Sequence, residues 1–515
     1  MVTVRRAAVM AASFGALFIA TSAAAAAPTP GSPGIGDRLY PNLGNGGYDV
    51  QHYDLDLRYA TSDPSQSVEG DVTILARATQ SLSRFDLDWG GHSVAGVSVN
   101  GQSAAFTRKD EELIITPQSP LGDGQAFTVR VTRFRASPAT VRNNMRSTVF
   151  FKTPDGSATA PQPFSAHLIY PCNDHPRDKA TFTFTFDVPA GTKAIANGEE
   201  VSRSTAGGRT TWVYSMDEPM ATELTQLAVG NWDLGAPRRD GAVILRDASA
   251  PSLTASLQPA FALEPSQLDY MQSLVGPLPF SRYGILVVNA DVGFSLETQT
   301  LSMFPEPVFS TYGKAVWDPT MVHELSHEWF GDDVSPYSWS DIWLNEGHAS
   351  WYEFLYAQST DQLEGDTEFY PDPQGYATFD ELMRAVYAHG DEWRQDFGPV
   401  ALPLNSTDAV QYSYNVYHGG ALVLYALRQK IGASVFDKIE RTWLQRYSGK
   451  SASTDDFIAL ASSVSGQDLT AFLRDWLYGT KTPAMPGHPD WTVNPVKTNK
   501  TTTVTTAAAP LRHGI

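Results

Sequence analysis

From Tyr48 to about Asn231, hydrophobic and polar residues alternate in short runs. Tyr53-Asp54-Leu55-Asp56-Leu57 and Phe182-Thr183-Phe184-Thr185-Phe186 are the clearest examples. A period of two puts every second side chain on one face of a strand, so these runs predict half-buried sheet. Asn100-Gly101 and Asp123-Gly124 supply tight-turn chemistry between runs. The first part of the chain therefore reads as an all-β unit of roughly 200 residues, a sandwich or saddle-like sheet. It ends near the breaker-rich stretch Ala236 to Gly241. Beyond that point the period lengthens. Helices are predicted over Pro265 to Val275, Pro319 to Phe330, Trp339 to Ala357, Phe379 to Tyr387, Gly420 to Ile431, Val435 to Tyr447 and, as a final pair with the last of these, Thr454 to Leu477. Ile285-Leu286-Val287-Val288 reads as a buried strand. After His488 the chain turns Thr-rich with little to bury, and no internal repeat is present.

The composition is that of an ordinary globular protein, 42% hydrophobic and 18% charged across 515 residues, and the length calls for more than one core. The formal charge of −19 argues against a nucleic-acid partner, which needs clustered Lys and Arg. Arg5-Arg6, the apolar run Ala7 to Ala20 and the small residues Ala23 to Ala27 have the three-part layout of a secretory signal peptide over residues 1–27. An uncleaved anchor is the competing reading, and Arg5-Arg6 also admits a twin-arginine signal. With cleavage, no stable membrane association is expected. Cys172 is the only cysteine, so an intramolecular disulfide is impossible; the residue reads as a small buried hydrophobe.

The candidate chemistry lies in Asp318-Pro319-Thr320-Met321-Val322-His323-Glu324-Leu325-Ser326-His327 and its continuation to Gly331. Asp318 suits an N-cap, Pro319 a first helical position and Gly331 a helix end. On a helix, His323 and His327 are four apart and share a face, where both can hold one metal ion. Glu324, next in sequence, can reach a water without ligating, which is the H-E-x-x-H arrangement. A catalytic zinc site takes three protein ligands and keeps one position open. Glu346, 19 positions after His327 on the next predicted helix, supplies the third. His348 is not at a ligand position and reads as a surface or supporting residue.

His323 to Val334, continued by Trp343-Leu344-Asn345-Glu346-Gly347-His348-Ala349, strongly resembles the aminopeptidase N family of gluzincin zinc metallopeptidases, which includes leukotriene A hydrolase. Pro171 to Phe182 and Glu218-Pro219-Met220-Ala221-Thr222 are similar to signatures of that family's β domain, and the likeness runs from about Gly44 to Leu477. The resemblance implies a multidomain β plus α protein. Its parts would be an N-terminal β-saddle or sandwich domain over 28–239, a helix-dominated thermolysin-like catalytic domain over 240–488, and a tail over 489–515. Too few residues follow Leu477 for the helical C-terminal domain that many members carry.

The same resemblance implies one Zn2+ per chain, held by His323, His327 and Glu346, with Glu324 as general base. Glu297, the residue kept from a Gly-x-Met-Glu-Asn motif that is otherwise poorly matched by Phe294-Ser295-Leu296-Glu297-Thr298, would bind the free α-amino group of a peptide. Gln162 matches a second amine-binding position. Tyr417, in Tyr417-His418-Gly419-Gly420, approaches the family's oxyanion-binding tyrosine, with Gly419 where the family has lysine; Tyr412 and Tyr414 compete for that role. The expected enzyme is a secreted aminopeptidase acting on peptides with a free N-terminus. An endopeptidase of the same fold and an inactive binding relative are the rival readings. The acidic residues Asp361, Glu364, Asp366 and Glu368 read as a solvated loop.

Overall fold

The computed structural model describes residues 27–61, 68–136, 150–363, 375–494 and 512–513. The signal-peptide expectation over 1–27 and the residues Glu364, Asp366 and Glu368 fall almost wholly outside that set.

The alternating runs become an eight-stranded sheet. Its spatial order is Glu199–Ala206, Arg209–Met220, Ala180–Pro189, Tyr48–Arg58, Val68–Ala78, Ala126–Ala136, Gly96–Val99 and Gln102–Ser103. Phe182, Phe184 and Phe186 all point inward from one strand, and Phe184 stands opposite Leu55 in the parallel neighbour and Tyr214 in the antiparallel one. A slip of one residue would expose all three rings at about 1.5–3 kcal/mol each, so the pattern fixes the register. Asn100 and Gly101 both adopt positive φ, 51° and 76°, in the two-residue turn between Val99 and Gln102, as the tight hairpin demands.

Two smaller four-stranded sheets complete this part, one of them Phe150–Thr153, Gly156–Thr159, Leu227–Gly230 and Lys193–Ala196. The helical part begins around a short sheet in which Ile285–Val288, fully buried, pairs in parallel with Ser302–Pro305. Leu296 exchanges both backbone hydrogen bonds with Met303, which presents Glu297 at the edge of that sheet. Residues 512–513 pair in parallel with Phe294–Ser295. Trp491 packs flat on Tyr425, ring centroids 5.8 Å apart. Among the described residues no helix is long and apolar enough to cross a membrane.

Three helices carry the expected chemistry. The histidine helix is Lys314–His327, the glutamate helix Trp343–Ser359 and the tyrosine helix Tyr414–Ile431. The histidine helix starts earlier than the cap pattern implies. Gly313 occupies the N-cap, Pro319 lies inside the helix, and the helix ends at His327 rather than at Phe330. Asp318 does not cap. Its carboxylate is buried, accepting from Gln267 Nε2 at 2.7 Å, Tyr356 Oη at 3.1 Å and Gln362 Nε2 at 2.8 Å, so tertiary partners claim the side chain that local sequence assigned to a cap.

The glutamate and tyrosine helices cross at Gly347 and Gly420. A Cβ on Gly420 would stand 2.7 Å from the Gly347 Cα, and one on Gly347 would stand 2.9 Å from the Gly420 Cα. The bare crossing brings Glu346 and Tyr417 to one place. Gly420→Ala should force the helices apart and lower unfolding free energy by about 1–3 kcal/mol in chemical denaturation; an unchanged midpoint would mean that this contact does not set the helix spacing.

Candidate metal centre

Both histidines lie four apart on one helix face and are fully buried, as is Glu346. Glu346 Oε2 stands 3.4 Å from His323 Nε2 and 3.5 Å from His327 Nε2. With bonds of about 2.0–2.1 Å, neighbouring ligand atoms around a tetrahedral zinc stand about 3.3–3.4 Å apart, so the observed spacing is that of a ligand set rather than of hydrogen-bonded partners. Accordingly His327 Nε2 and both oxygens of Glu346 make no hydrogen bond among the described residues, and buried polar atoms in that state call for a guest. The donor set of two imidazoles and one carboxylate fits zinc.

Each ring is held from behind through its other nitrogen. His323 Nδ1 meets Glu353 Oε2 at 2.8 Å, and His327 Nδ1 meets the Phe330 carbonyl oxygen at 3.1 Å. With Nδ1 engaged on an acceptor, Nε2 is the nitrogen left for a metal. Burial alone would push the Glu346 carboxyl up, but the two histidines outweigh it and hold it down at about 2. Burial likewise opposes charge on His323, yet Glu346 and Glu353 raise its pKa to about 10. Left to itself, the set retains a proton that a divalent cation would displace.

Glu324 is buried beside the ligands. One carboxylate oxygen of Glu324, one of Glu297 and a His327 nitrogen lie within 4.8 Å of one another. Glu297 is fully buried, not on an exposed strand face, and Gln162, from the β-rich part, donates through Nε2 to Glu297 Oε1 at 2.6 Å. The two residues assigned to amine binding, 135 positions apart in the chain, therefore meet.

The Tyr417 ring lies nearly parallel to that of His323, centroids 5.9 Å apart at 11°. Burial, then the carboxylate of Glu346 and the Tyr412 phenol, push the Tyr417 phenol well above its ordinary value, so it remains a proton donor at neutral pH. Tyr412 is buried on the same side, its phenol raised by burial, Tyr40 and Glu346. Tyr414 instead packs its ring against Trp393 and His418.

His348 is not a surface residue. It is fully buried, stacked on Phe330 at 4.3 Å, with Nε2 3.3 Å from Glu440 Oε2. Glu353 was missed by the sequence reading although a signal existed: it follows Glu346 by seven positions, two turns on along the same helix face. The β-domain signature also gains a role. Arg177 Nε donates to the Tyr337 carbonyl at 3.0 Å, and Lys179 Nζ to the carbonyls of Asp332 and Asp333 at 2.5 and 2.7 Å, which docks Pro171 to Phe182 beneath the chain that joins the histidine and glutamate helices. Glu353→Ala should weaken zinc binding about 10- to 100-fold in competition with a chromophoric chelator; unchanged affinity would remove Glu353 from the support of His323.

Comparison with known proteins agrees with this geometry. Profiles of the Peptidase M1 N-terminal domain and the Peptidase family M1 domain match residues 49–224 and 293–476. A crystal structure of an M1 zinc metallopeptidase from Deinococcus radiodurans superposes with a TM-score of 0.74 at 28% identity, over 88% of this chain and 99% of that one. A mutant of the Deinococcus radiodurans M1 zinc metallopeptidase, bound to a Tyr-Ser-Ala substrate, gives a TM-score of 0.74 at 27% identity, over 88% of this chain and 100% of that one. Among curated sequences, Aminopeptidase M1-D of Oryza sativa subsp. japonica is 25% identical over 78% of this chain and 45% of its own length, and Probable aminopeptidase 1 of Sulfurisphaera tokodaii is 23% identical over 80% and 50%. The chain thus spans half or less of the length of these curated relatives. It belongs to peptidase family M1, a family of zinc metallopeptidases, in the two-domain arrangement of a β-rich N-terminal part and a helical catalytic part.

Proposed function

We propose that this protein is an aminopeptidase that removes N-terminal residues from peptides. The observation that carries the reading is the Gln162–Glu297 pair, joined at 2.6 Å, within 4.8 Å reach of the buried Glu324 and His327 through Glu297. A carboxylate anchored beside a hydrolytic centre can hold an α-ammonium by a charge-assisted hydrogen bond and so fix the first peptide bond in register. The relatives' names and the Tyr-Ser-Ala substrate in the Deinococcus structure support the same reading.

In this mechanism His323, His327 and Glu346 hold the zinc. When bound, the ion supplies Lewis acidity to a water nucleophile and to the substrate carbonyl. Glu324 takes the proton from the attacking water and returns it to the departing amine nitrogen. The Tyr417 phenol donates to the oxygen on which negative charge develops, an interaction that strengthens only as the transition state forms. Glu297 and Gln162 keep the substrate's N-terminus fixed throughout. The burial of all these groups excludes bulk water and strengthens each electrostatic contact.

We also propose that the chain is exported. The support is the basic, apolar and small-residue layout of residues 1–27, and protein recovered from the medium should then begin at or near Pro28. An intact leader on protein retained inside the cell would contradict export.

Glu324→Gln should abolish turnover of leucine p-nitroanilide while one zinc per chain remains, because the base is not a ligand. N-acetylation of the substrate should block the unmutated enzyme. Retained activity in the variant would remove Glu324 as base, and equal cleavage of the acetylated substrate would identify an endopeptidase.

A further inference from the structure

A carboxylate that the proposed mechanism does not use lies next to the amine-binding pair. Glu223 is 1% exposed, and neither of its oxygens has a hydrogen-bond partner among the described residues. The turn that carries it, Thr222–Leu224, is tied on both sides to the segments bearing Gln162 and Glu297. On one side Thr159 Oγ1 donates to the Thr225 carbonyl at 3.2 Å, three residues before Gln162. On the other, Asn197 Nδ2 donates both to the Leu224 carbonyl at 3.0 Å and to the Gln299 carbonyl at 2.8 Å, two residues after Glu297. Glu223 lies within electrostatic reach of both: the charge of Glu297 raises its pKa and the side chain of Gln162 lowers it.

Among the described residues no cation forms an ion pair with it, and Lys179 acts on it only through its charge. The ammonium of Lys179 is spent on the carbonyls of Asp332 and Asp333, and Asp174, which shares the neighbourhood, accepts from Thr222 Oγ1 at 2.9 Å and pairs with His167. An anion withdrawn from water without a hydrogen-bond partner is costly, and the nearby Lys179, whose hydrogen bonds go elsewhere, eases that cost only through its charge. Burial, then Glu297, push the Glu223 carboxyl well above its usual range.

The count of open acceptors identifies the guest. Beyond Glu223, Glu297 Oε2 and Gln162 Oε1 also lack partners among the described residues. A primary ammonium carries three N–H donors around one nitrogen, and three side chains here each offer an open acceptor. We propose that Glu223 is a third binding residue for the α-ammonium of the substrate, completing with Glu297 and Gln162 a site in which the neutral amide of Gln162 leaves room for a second carboxylate. The inference rests on the aminopeptidase reading and deepens it: the enzyme would demand a fully protonated primary amine and discriminate strongly against secondary or blocked N-termini.

The test uses the zinc-loaded full chain. Glu223→Gln keeps the shape and removes the charge; Glu223→Asp keeps the charge on a shorter arm and serves if the first variant folds poorly. For leucine p-nitroanilide, KM should rise about 10- to 100-fold in Glu223→Gln, the loss of one hydrogen bond to a charged group, while kcat and zinc content hold; Glu223→Asp should recover part of the KM. In parallel, leucinamide should raise the melting temperature of the unmutated protein more than 4-methylpentanamide, which lacks the amine, and Glu223→Gln should erase that difference. An unchanged KM, or a fall in kcat and zinc content at constant KM, would overturn the proposal and leave Glu223 a structural acid. If no substrate is cleaved by any form, the aminopeptidase reading fails, and the binding comparison still decides: equal stabilisation by the two amides in the unmutated protein, or a difference that survives Glu223→Gln, overturns the amine site.

Discussion

Glu346 meets His323 and His327 at 3.4 and 3.5 Å in a region closed to water, where neither a lone carboxylate nor a lone imidazolium is tolerable. That convergence constrains everything around it. The glutamate helix must also pack closely on the tyrosine helix to bring Tyr417 to the same place, which restricts Gly347 and Gly420 to hydrogen. Each histidine must be oriented by a fixed acceptor, a task met by Glu353 and the Phe330 carbonyl. With the cation bound, two neutral imidazoles and one carboxylate leave a net charge of about +1, the balance that favours acidifying water over merely storing a metal.

The β-rich part is not a passive neighbour. It contributes Gln162 and Glu223 to the site and clamps the turn after His327 through Lys179 and Arg177. The N-terminal segment is tied in as well: Asp37 accepts from the Trp339 amide at 2.7 Å and from His175 Nε2 at 3.2 Å, linking the start of the β part, its signature loop and the entry to the glutamate helix. On the aminopeptidase reading, a substrate amine held by Gln162 and Glu297 would touch both parts of the molecule, and the register of the scissile bond would depend on how they are joined. Buried hydrogen bonds cross this seam, among them Gln162 to Glu297 and Asn197 Nδ2 to the Gln299 carbonyl.

Much of this was legible in the residues. Period-two runs located the large sheet, Asn100-Gly101 marked a hairpin turn, and the spacing of His323, His327 and Glu346 anticipated a shared ion. Local signals failed where distant partners decided. Asp318-Pro319 has the chemistry of a helix start, yet the helix begins five residues before Pro319 because Asp318 is held by Gln267, Tyr356 and Gln362. Pro319 costs one backbone bond near the helix start, and Thr320 returns a side-chain bond to the Val316 carbonyl at 2.8 Å. His348 carries no ligand spacing, but its burial depends on Phe330 and Glu440, which no local window joins to it. Glu223 lies within a stretch that matched a family signature only up to Thr222, and its meaning appears only when Gln162 and Glu297 stand beside it.

The central claim is that three side chains from two helices hold one zinc ion and leave a coordination position to solvent or substrate. Anomalous scattering from a crystal, collected on both sides of the zinc absorption edge, tests it most directly. One peak per chain is expected, about 2.0–2.2 Å from His323 Nε2, His327 Nε2 and a Glu346 oxygen, with no fourth protein ligand. A peak elsewhere, or one enclosed by four protein ligands, would contradict the account.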